Sequence, residues 1–491
     1  MGQRGFYQPE GAWVGDVIPW QEDGEFHLFY LYESRQVPRE GMPWHRVVTD
    51  NLVDFDDRGE AIASGGVTAA DFNVYTGSIV LAEDGTHHVF YTGQNPDAVG
   101  DDGRALQVVM HATSVDGMRS WQRHPDDTFG ATPGYETGDW RDPFVFWDEA
   151  ARVWRMLITA RHAHGPSRRR GVIAQCTSHD LSTWEPAAPF WNPRRYLAHE
   201  CPEVFQWGGW WYLVFSEFSD AFTTRYRMAR SLDGPWQVPE HDTIDGRAYY
   251  AAKSAARGDR RFFFGWIASR EGAQDDGPWQ WAGTMSVLEA EQRADGTLAF
   301  RPPEESRDAF SQPEEGIPAG SVLLAPDGYR DLLTREDAPT AFRLRARFDI
   351  ADSTTECGVL LRAGADGDEG YVLRLEPERG RLVFDRWPRR ATGTEQWQIS
   401  GDVPFAIELE RPCHIGAGEH VLDVIVDGDI CVATLDDATV LSTRLYDRRN
   451  GRLGAFVGEG AVTITEFSVF SPAPADPSQQ THSDSLLAKT A

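Results

Sequence analysis

A short polar turn ending on an aromatic residue recurs four times in this chain, and it constrains the fold more than any other feature. The first copy is Thr49-Asp50-Asn51-Leu52-Val53-Asp54-Phe55, and the second is Thr113-Ser114-Val115-Asp116 leading to Trp121. The third is Thr177-Ser178-His179-Asp180-Leu181-Ser182-Thr183-Trp184, and the fourth is Ser231-Leu232-Asp233-Gly234-Pro235-Trp236. The closing aromatics are spaced by 66, 63 and 52 residues. That period fits a four-stranded propeller blade with loops of varying length. Each turn follows a similar strand–turn–strand unit. Phe26 to Tyr30 follows Asp23-Gly24, His88 to Tyr91 follows Asp84-Gly85, Trp154 to Ile158 follows Asp148-Glu149, and Trp211 to Phe215 follows Gly208-Gly209. A fifth copy, Arg261 to Trp266, follows Gly258-Asp259. Helical periodicity is nearly absent. The chain therefore reads as all-β, with a five-bladed β-propeller over residues 1–300. A solenoid is the alternative, but five such units close more naturally into a ring.

Residues 301–322 are rich in Pro, Glu and Gly and read as a linker. Further short alternating strands follow, among them Phe342 to Phe348, Tyr371 to Leu375 and His420 to Val426. Turns about every 8–12 residues predict a β-sandwich over 323–473. Residues 474–491, rich in Ser, Gln and Thr, are expected to form a disordered tail.

A length of 491 residues is too much for one ordinary core and agrees with two domains. The 76 acidic against 47 basic residues give a net charge of −29. Such a field repels phosphate backbones and anionic lipid, so neither nucleic acid nor a membrane surface is expected as partner. The five cysteines are odd in number and widely spaced, which suits reduced, buried thiols. No apolar run approaches the roughly 18 residues of a membrane span. The opening Met1-Gly2-Gln3-Arg4-Gly5-Phe6 lacks the apolar core of a signal peptide, so a cytoplasmic location is expected unless a signal has been removed. Walker, Rossmann, GxSxG and HExxH patterns are absent.

The first strand of a propeller blade lines the axial channel, so residues at the start of these strands converge. That position is Asp16 in blade one, Asp142 in blade three and Glu200 in blade four, while blade two has the neutral stretch Tyr75-Thr76-Gly77-Ser78. Three acids at one mouth repel one another unless they hold a cation or their pKa values are spread. Spread values serve a glycosidase, which needs one ionised carboxylate and one protonated acid. Arg141 is placed to keep Asp142 ionised. Turn capping or pairing with arginine is the bland explanation for any one of these acids alone. A metal site is the minor alternative, and oxygen ligands would then suit Ca²⁺. Glu203, three residues after Glu200, is expected on the opposite strand face in a structural role. Trp44-His45 and Trp279-Gln280-Trp281 read as loops in which sugar stacking and blade packing are both plausible.

In these motifs the sequence resembles glycoside hydrolase family 32, the β-fructofuranosidases, over nearly its whole length. Arg141-Asp142-Pro143 matches the family's RDP motif and Glu200-Cys201-Pro202 its EC(P) motif. Tyr75-Thr76-Gly77-Ser78 resembles its FSGS segment, Trp44-His45 with Thr49-Asp50 its WGHxxSxDL segment, and Trp281-Ala282-Gly283 with Ser286 its WAGxLSxPR stretch. The resemblance implies a retaining double displacement on an oligosaccharide or small glycoside. Asp16 would be the nucleophile, Glu200 the general acid/base and Asp142 the transition-state stabiliser. Trp44, Tyr75, Ser78, Arg141 and Trp281 would contact substrate. No metal and no organic cofactor is implied, and a homo-oligomer is left open. The first motif departs from the family's WxNDPNG, since Gly15 stands before Asp16 and Val17-Ile18-Pro19 after it. Leu31 replaces the Gln that usually follows Phe-Tyr. The fructose-gripping surface is thus rebuilt. A related furanosidase, such as an arabinofuranosidase, and a non-catalytic sugar-binding propeller are the competing readings.

Overall fold

The computed structural model describes residues 3–388 and 407–473. Blade I contains the antiparallel strands Trp13–Glu22, Glu25–Glu33, Trp44–Thr49 and Asp56–Ile62. Blade II contains Asn73–Leu81, His87–Val99, Ala105–Ser114 and Gln122–Arg123. Blade III contains Tyr135–Asp148, Val153–His162, Gly171–Ser178 and Glu185–Pro186. Blade IV has Glu200–Trp207, Trp210–Glu217 and Thr223–Ala229, with single bridges to Gln237 and Thr243 along its outer edge. Blade V has Tyr249–Arg257, Arg260–Arg270 and Trp279–Gln292. Its last strand pairs with both Phe6–Tyr7 and Leu298–Arg301, so the start of the chain closes the ring.

The recurring turn has a physical cause. The Thr49 hydroxyl accepts from the Leu52 N–H, and Asn51 Oδ1 accepts from the Val53 and Asp54 N–H groups. Ser114 with Asp116, and Ser178 with Asp180, repeat this pattern. These side chains replace ladder bonds at the turn. The aromatic that ends the turn then packs against the preceding blade: Trp121 on Phe29 and Trp184 on Phe90. Each blade buries apolar residues against its neighbour, as Phe29 with Val89 and Leu157 with Leu213 show. No blade can cover both of its faces alone, so closure into a ring follows.

The second domain is a β-sandwich built around the long strand Arg452–Pro472. Its first part pairs with Glu356–Ala363 and its later part with Ala341–Ile350, the exchange falling around Glu459 (φ 47°). Strands Gly370–Glu376, Arg381–Trp387 and Leu409–Pro412 extend one layer, and Gly418–Asp427, Ile430–Leu435 and Thr439–Arg444 the other. Its core is continuous with that of blades IV and V. Arg444 reaches across to the Ile267 and Ala268 carbonyls at 2.7 and 3.1 Å. Asp245 accepts from the Ser442 N–H and hydroxyl.

The segment 301–322 differs from the linker expected of its composition. It holds the short helix Glu304–Asp308, and its strand Phe310–Glu314 pairs with Arg452–Pro472. Buried Phe310 and Ile317 fasten it to the core, which a count of Pro and Glu conceals. The expected tail at 474–491 lies outside the described residues. All five cysteines are buried and unpaired. Among the described residues, no helix is long and apolar enough to cross a membrane.

Candidate active site

All five inner strands break register at corresponding points. The pairing skips between Val14 and Val17, Tyr75 and Gly77, Arg141 and Phe144, Glu200 and Glu203, and Tyr250 and Lys253. Each skip is a β-bulge, which kinks a strand and re-aims its side chains. Asp16, Asp142 and Glu200 come from three of these bulges and line one cavity of about 740 Å³. Asp142, Cys201 and Ala251 hold left-handed backbone, with φ of 57°, 50° and 53°. Such a conformation costs a non-glycine residue roughly 1–2 kcal/mol.

The bulges correct one reading of the repeat. Counted from each break, Glu200 is level with Arg141 and Tyr250, Asp142 with Cys201, and Asp16 stands one residue beyond Asp142. The acids therefore occupy successive positions across the bulge, not one equivalent position. Turn spacing cannot show this, because a bulge adds residues without altering the turns.

Asp16 is held by three donors. Its Oδ2 accepts from Thr76 Oγ1 at 2.6 Å and from Cys201 Sγ at 3.6 Å, and its Oδ1 accepts from Trp266 Nε1 at 3.1 Å. Burial and the Asp142 charge raise its pKa, while Thr76, Trp266 and the Lys253 ammonium pull it back. Thr76→Val keeps the side-chain volume and removes a donor. The acid limb of kcat/KM should then move up by about one pH unit. A pH profile measured on the variant checks this, and an unmoved limb would separate Thr76 from the titration of Asp16.

Glu200 stays partly open to the cavity. Its Oε1 accepts from Arg141 Nη2 at 3.0 Å and its Oε2 from the Tyr250 hydroxyl at 2.6 Å. Burial, assisted by the Asp142 and Asp16 charges, pushes its pKa up to about 7 against the pull of Arg141 and Tyr250. Asp142 accepts from Thr159 Oγ1 and the Cys201 N–H, each at 3.0 Å. Arg141 does less for Asp142 than the sequence suggests. Its nearest carboxylates are Asp139 at 2.6 Å and Glu200 at 3.0 Å, with Asp142 at 3.8 Å.

Tyr75, Arg141 and Trp281 line the cavity with the acids. Trp44 does not contact it as expected. It lies in a strand, is fully buried, and donates its indole N–H to the Tyr75 carbonyl. Ser78 is likewise buried, donating to the Pro143 carbonyl and accepting from the Val145 N–H. Both position the residues that do line the cavity. Trp279 and Trp281 also lie in a strand, not a loop. Glu203 is structural, accepting from the Ser254 N–H and hydroxyl. Sequence reasoning missed Thr76, Tyr250, Lys253 and Trp266. Tyr250 stands level with Glu200 only when the inner strands are aligned on their bulges, which strand pairing and not turn spacing reveals.

The altered first motif has a steric counterpart. A Cβ on Gly15 would lie 2.4 Å from Trp281 Cη2 and 2.9 Å from Leu31 Cβ. The Trp281 indole thus occupies the space that a side chain at position 15 would need. Arg35 anchors it by donating to the Trp281 carbonyl at 2.8 Å and to Gln280 Oε1 at 2.7 Å. Gly15→Asn should displace the indole and lower kcat/KM by about 10²-fold. Trp281→Ala in the same background should recover part of that loss, and steady-state kinetics of both variants test the pair.

A propeller cavity lined by one firmly held carboxylate, one acid whose pKa burial pushes up to about 7 and a third carboxylate fits a glycoside hydrolase. The chain belongs to glycosyl hydrolase family 32, since residues 6–302 match the model of that family's N-terminal domain. It is 26% identical over 404 residues to the sucrose-6-phosphate hydrolase of Escherichia coli, covering 77% of this chain and 78% of that protein. It is 24% identical over 486 residues to the levanase of Bacillus subtilis (strain 168), covering 91% and 68%. The solved structure of fructan 1-exohydrolase IIa from Cichorium intybus superposes with a TM-score of 0.75 at 18% identity, covering 96% of this chain and 98% of that one. At that identity the likeness speaks for the fold.

Proposed function

We propose that the chain cleaves the terminal fructosyl residue from a β-fructofuranoside, or transfers it to an acceptor, by a retaining double displacement. The carrying observation is the contrast between two carboxyls in one cavity: Asp16 fixed by three donors, and Glu200 raised to about 7. Asp16 attacks the anomeric carbon while Glu200 gives its proton to the departing oxygen. The resulting glycosyl–Asp16 ester is opened by water or a sugar hydroxyl, whose proton returns to Glu200. Asp142, fixed by Thr159 and the Cys201 N–H, accepts from sugar hydroxyls and balances the positive charge that develops at the ring oxygen. Relatives named for sucrose-6-phosphate hydrolysis, levan hydrolysis and fructosyl transfer support fructose as the transferred sugar.

The test is a panel of sucrose, inulin, levan and nitrophenyl furanosides, with the anomer released first identified by NMR. Fructose released with retained configuration is expected. Cleavage of arabinofuranosides alone would replace the substrate assignment. Sugar binding without cleavage of any furanoside would replace the catalytic one.

A further inference from the structure

Where the outer edge of blade IV meets the second domain, Glu240, His241 and His414 bring together a carboxylate and two imidazoles. One donor atom from each lies within 4.8 Å of the other two. These residues line none of the catalytic cavity; they border a separate hollow of about 500 Å³ between the two domains. We propose that this cluster is a Zn²⁺ site that clasps the propeller to the sandwich.

Spacing gives the first reason. His414 Nε2 lies 3.5 Å from Glu240 Oε2, near the roughly 3.3 Å separating two tetrahedral ligands each about 2.0–2.1 Å from zinc. A second reason is a ring nitrogen without a partner. His241 Nε2 is buried with no hydrogen-bond partner among the described residues, although its ring packs 4.9 Å from that of His414. A buried ring nitrogen left unpaired calls for an explanation, and metal ligation supplies one.

The backbone beneath the cluster is fixed on both sides. Thr243 bridges to Arg225 in blade IV, Arg411 Nη2 donates to the Thr243 carbonyl at 3.0 Å, and the Cys413 N–H donates to the Gly380 carbonyl at 2.9 Å.

Two nitrogens and one oxygen suit Zn²⁺, whereas Ca²⁺ and Mg²⁺ take oxygen ligands. Arg293 and Arg411 border the same hollow, as do Asp295 and Asp436, so the charges around the three ligands offset one another. His241 and His414 are more than 170 residues apart, which is why no sequence spacing announces the site.

The test uses the full chain, stripped with EDTA and dialysed, then titrated calorimetrically with ZnCl₂, CaCl₂ and MgCl₂. One Zn²⁺ per chain is expected, with a rise of about 3 °C or more in the thermal midpoint at saturation. His414→Ala and Glu240→Gln should each weaken binding at least tenfold and remove the thermal gain. Both side chains are about three-quarters exposed, so neither replacement threatens folding. His241→Gln supplies a third variant that keeps a polar side chain at this half-buried position. No zinc binding by the parent chain would overturn the proposal. So would zinc bound equally well by all three variants, or a preference for Ca²⁺ over Zn²⁺.

Discussion

Asp16→Asn should lower kcat on every sugar substrate by about 10⁴-fold or more, while sugar binding and the thermal midpoint stay near those of the parent chain. The amide has the same shape but cannot form the glycosyl ester. It also brings a donor where three donors already converge: the Thr76 hydroxyl, the Cys201 thiol and the Trp266 indole N–H. At most one amide oxygen can serve them, so the side chain loses the fixed orientation of the carboxylate. Removing the charge has a further consequence at Glu200, whose pKa Asp16 helps to raise. The residual activity should therefore titrate at lower pH than in the parent. Initial rates on sucrose, calorimetric binding of the uncleaved sugar and a thermal melt measure these effects. A variant with kcat within tenfold of the parent would remove Asp16 from the nucleophile role.

Glu200→Gln is the second large effect. The expected fall in kcat is about 10²–10⁴-fold for natural sugars, and smaller for nitrophenyl glycosides, whose leaving group departs without a proton. The pH dependence carries the sharper signature. Burial and two neighbouring carboxylates lift Glu200 to about 7, so the protonated form needed to expel the leaving oxygen persists up to neutrality. As pH rises through about 7 that proton is lost, and kcat/KM of the parent should fall on its basic side. Glutamine has no proton to lose there, so this limb should vanish from the variant. A basic limb that survives unchanged would assign it to another group and leave the general acid unidentified.

Much of this molecule was legible before any coordinates. The recurring turn of Ser or Thr with Asn or Asp, closed by an aromatic, is a local device. Its hydrogen bonds join residues two to four apart, and its period therefore reports the blades directly. The alternating strands after residue 323 reported the sandwich for the same reason. Asp16, Asp142 and Glu200 could be found because each sits six to eight residues before its blade's first hairpin turn, at Asp23-Gly24, Asp148-Glu149 and Gly208-Gly209. Composition misled at 301–322, where Pro and Glu suggested a linker although buried Phe310 and Ile317 tie the segment into the fold.

The bulges lay beyond the sequence's reach, and with them the geometry of the site. A bulge is set by pairing with the next strand, so turn spacing cannot count its extra residues. The supports of Asp16 come from other blades: Thr76 from blade II, Cys201 from blade IV, and Lys253 and Trp266 from blade V. The burial of Trp44 and the seating of Trp281 over Gly15 are equally decisions of packing between strands. The sequence by itself determined the repeat, the two-domain all-β plan and the identity of three acids, because these depend on local hydrogen bonding and on period. The tertiary structure decided which carboxyl is fixed, which is raised to about 7 and which aromatics line the cavity, because desolvation and donor convergence exist only once distant blades meet.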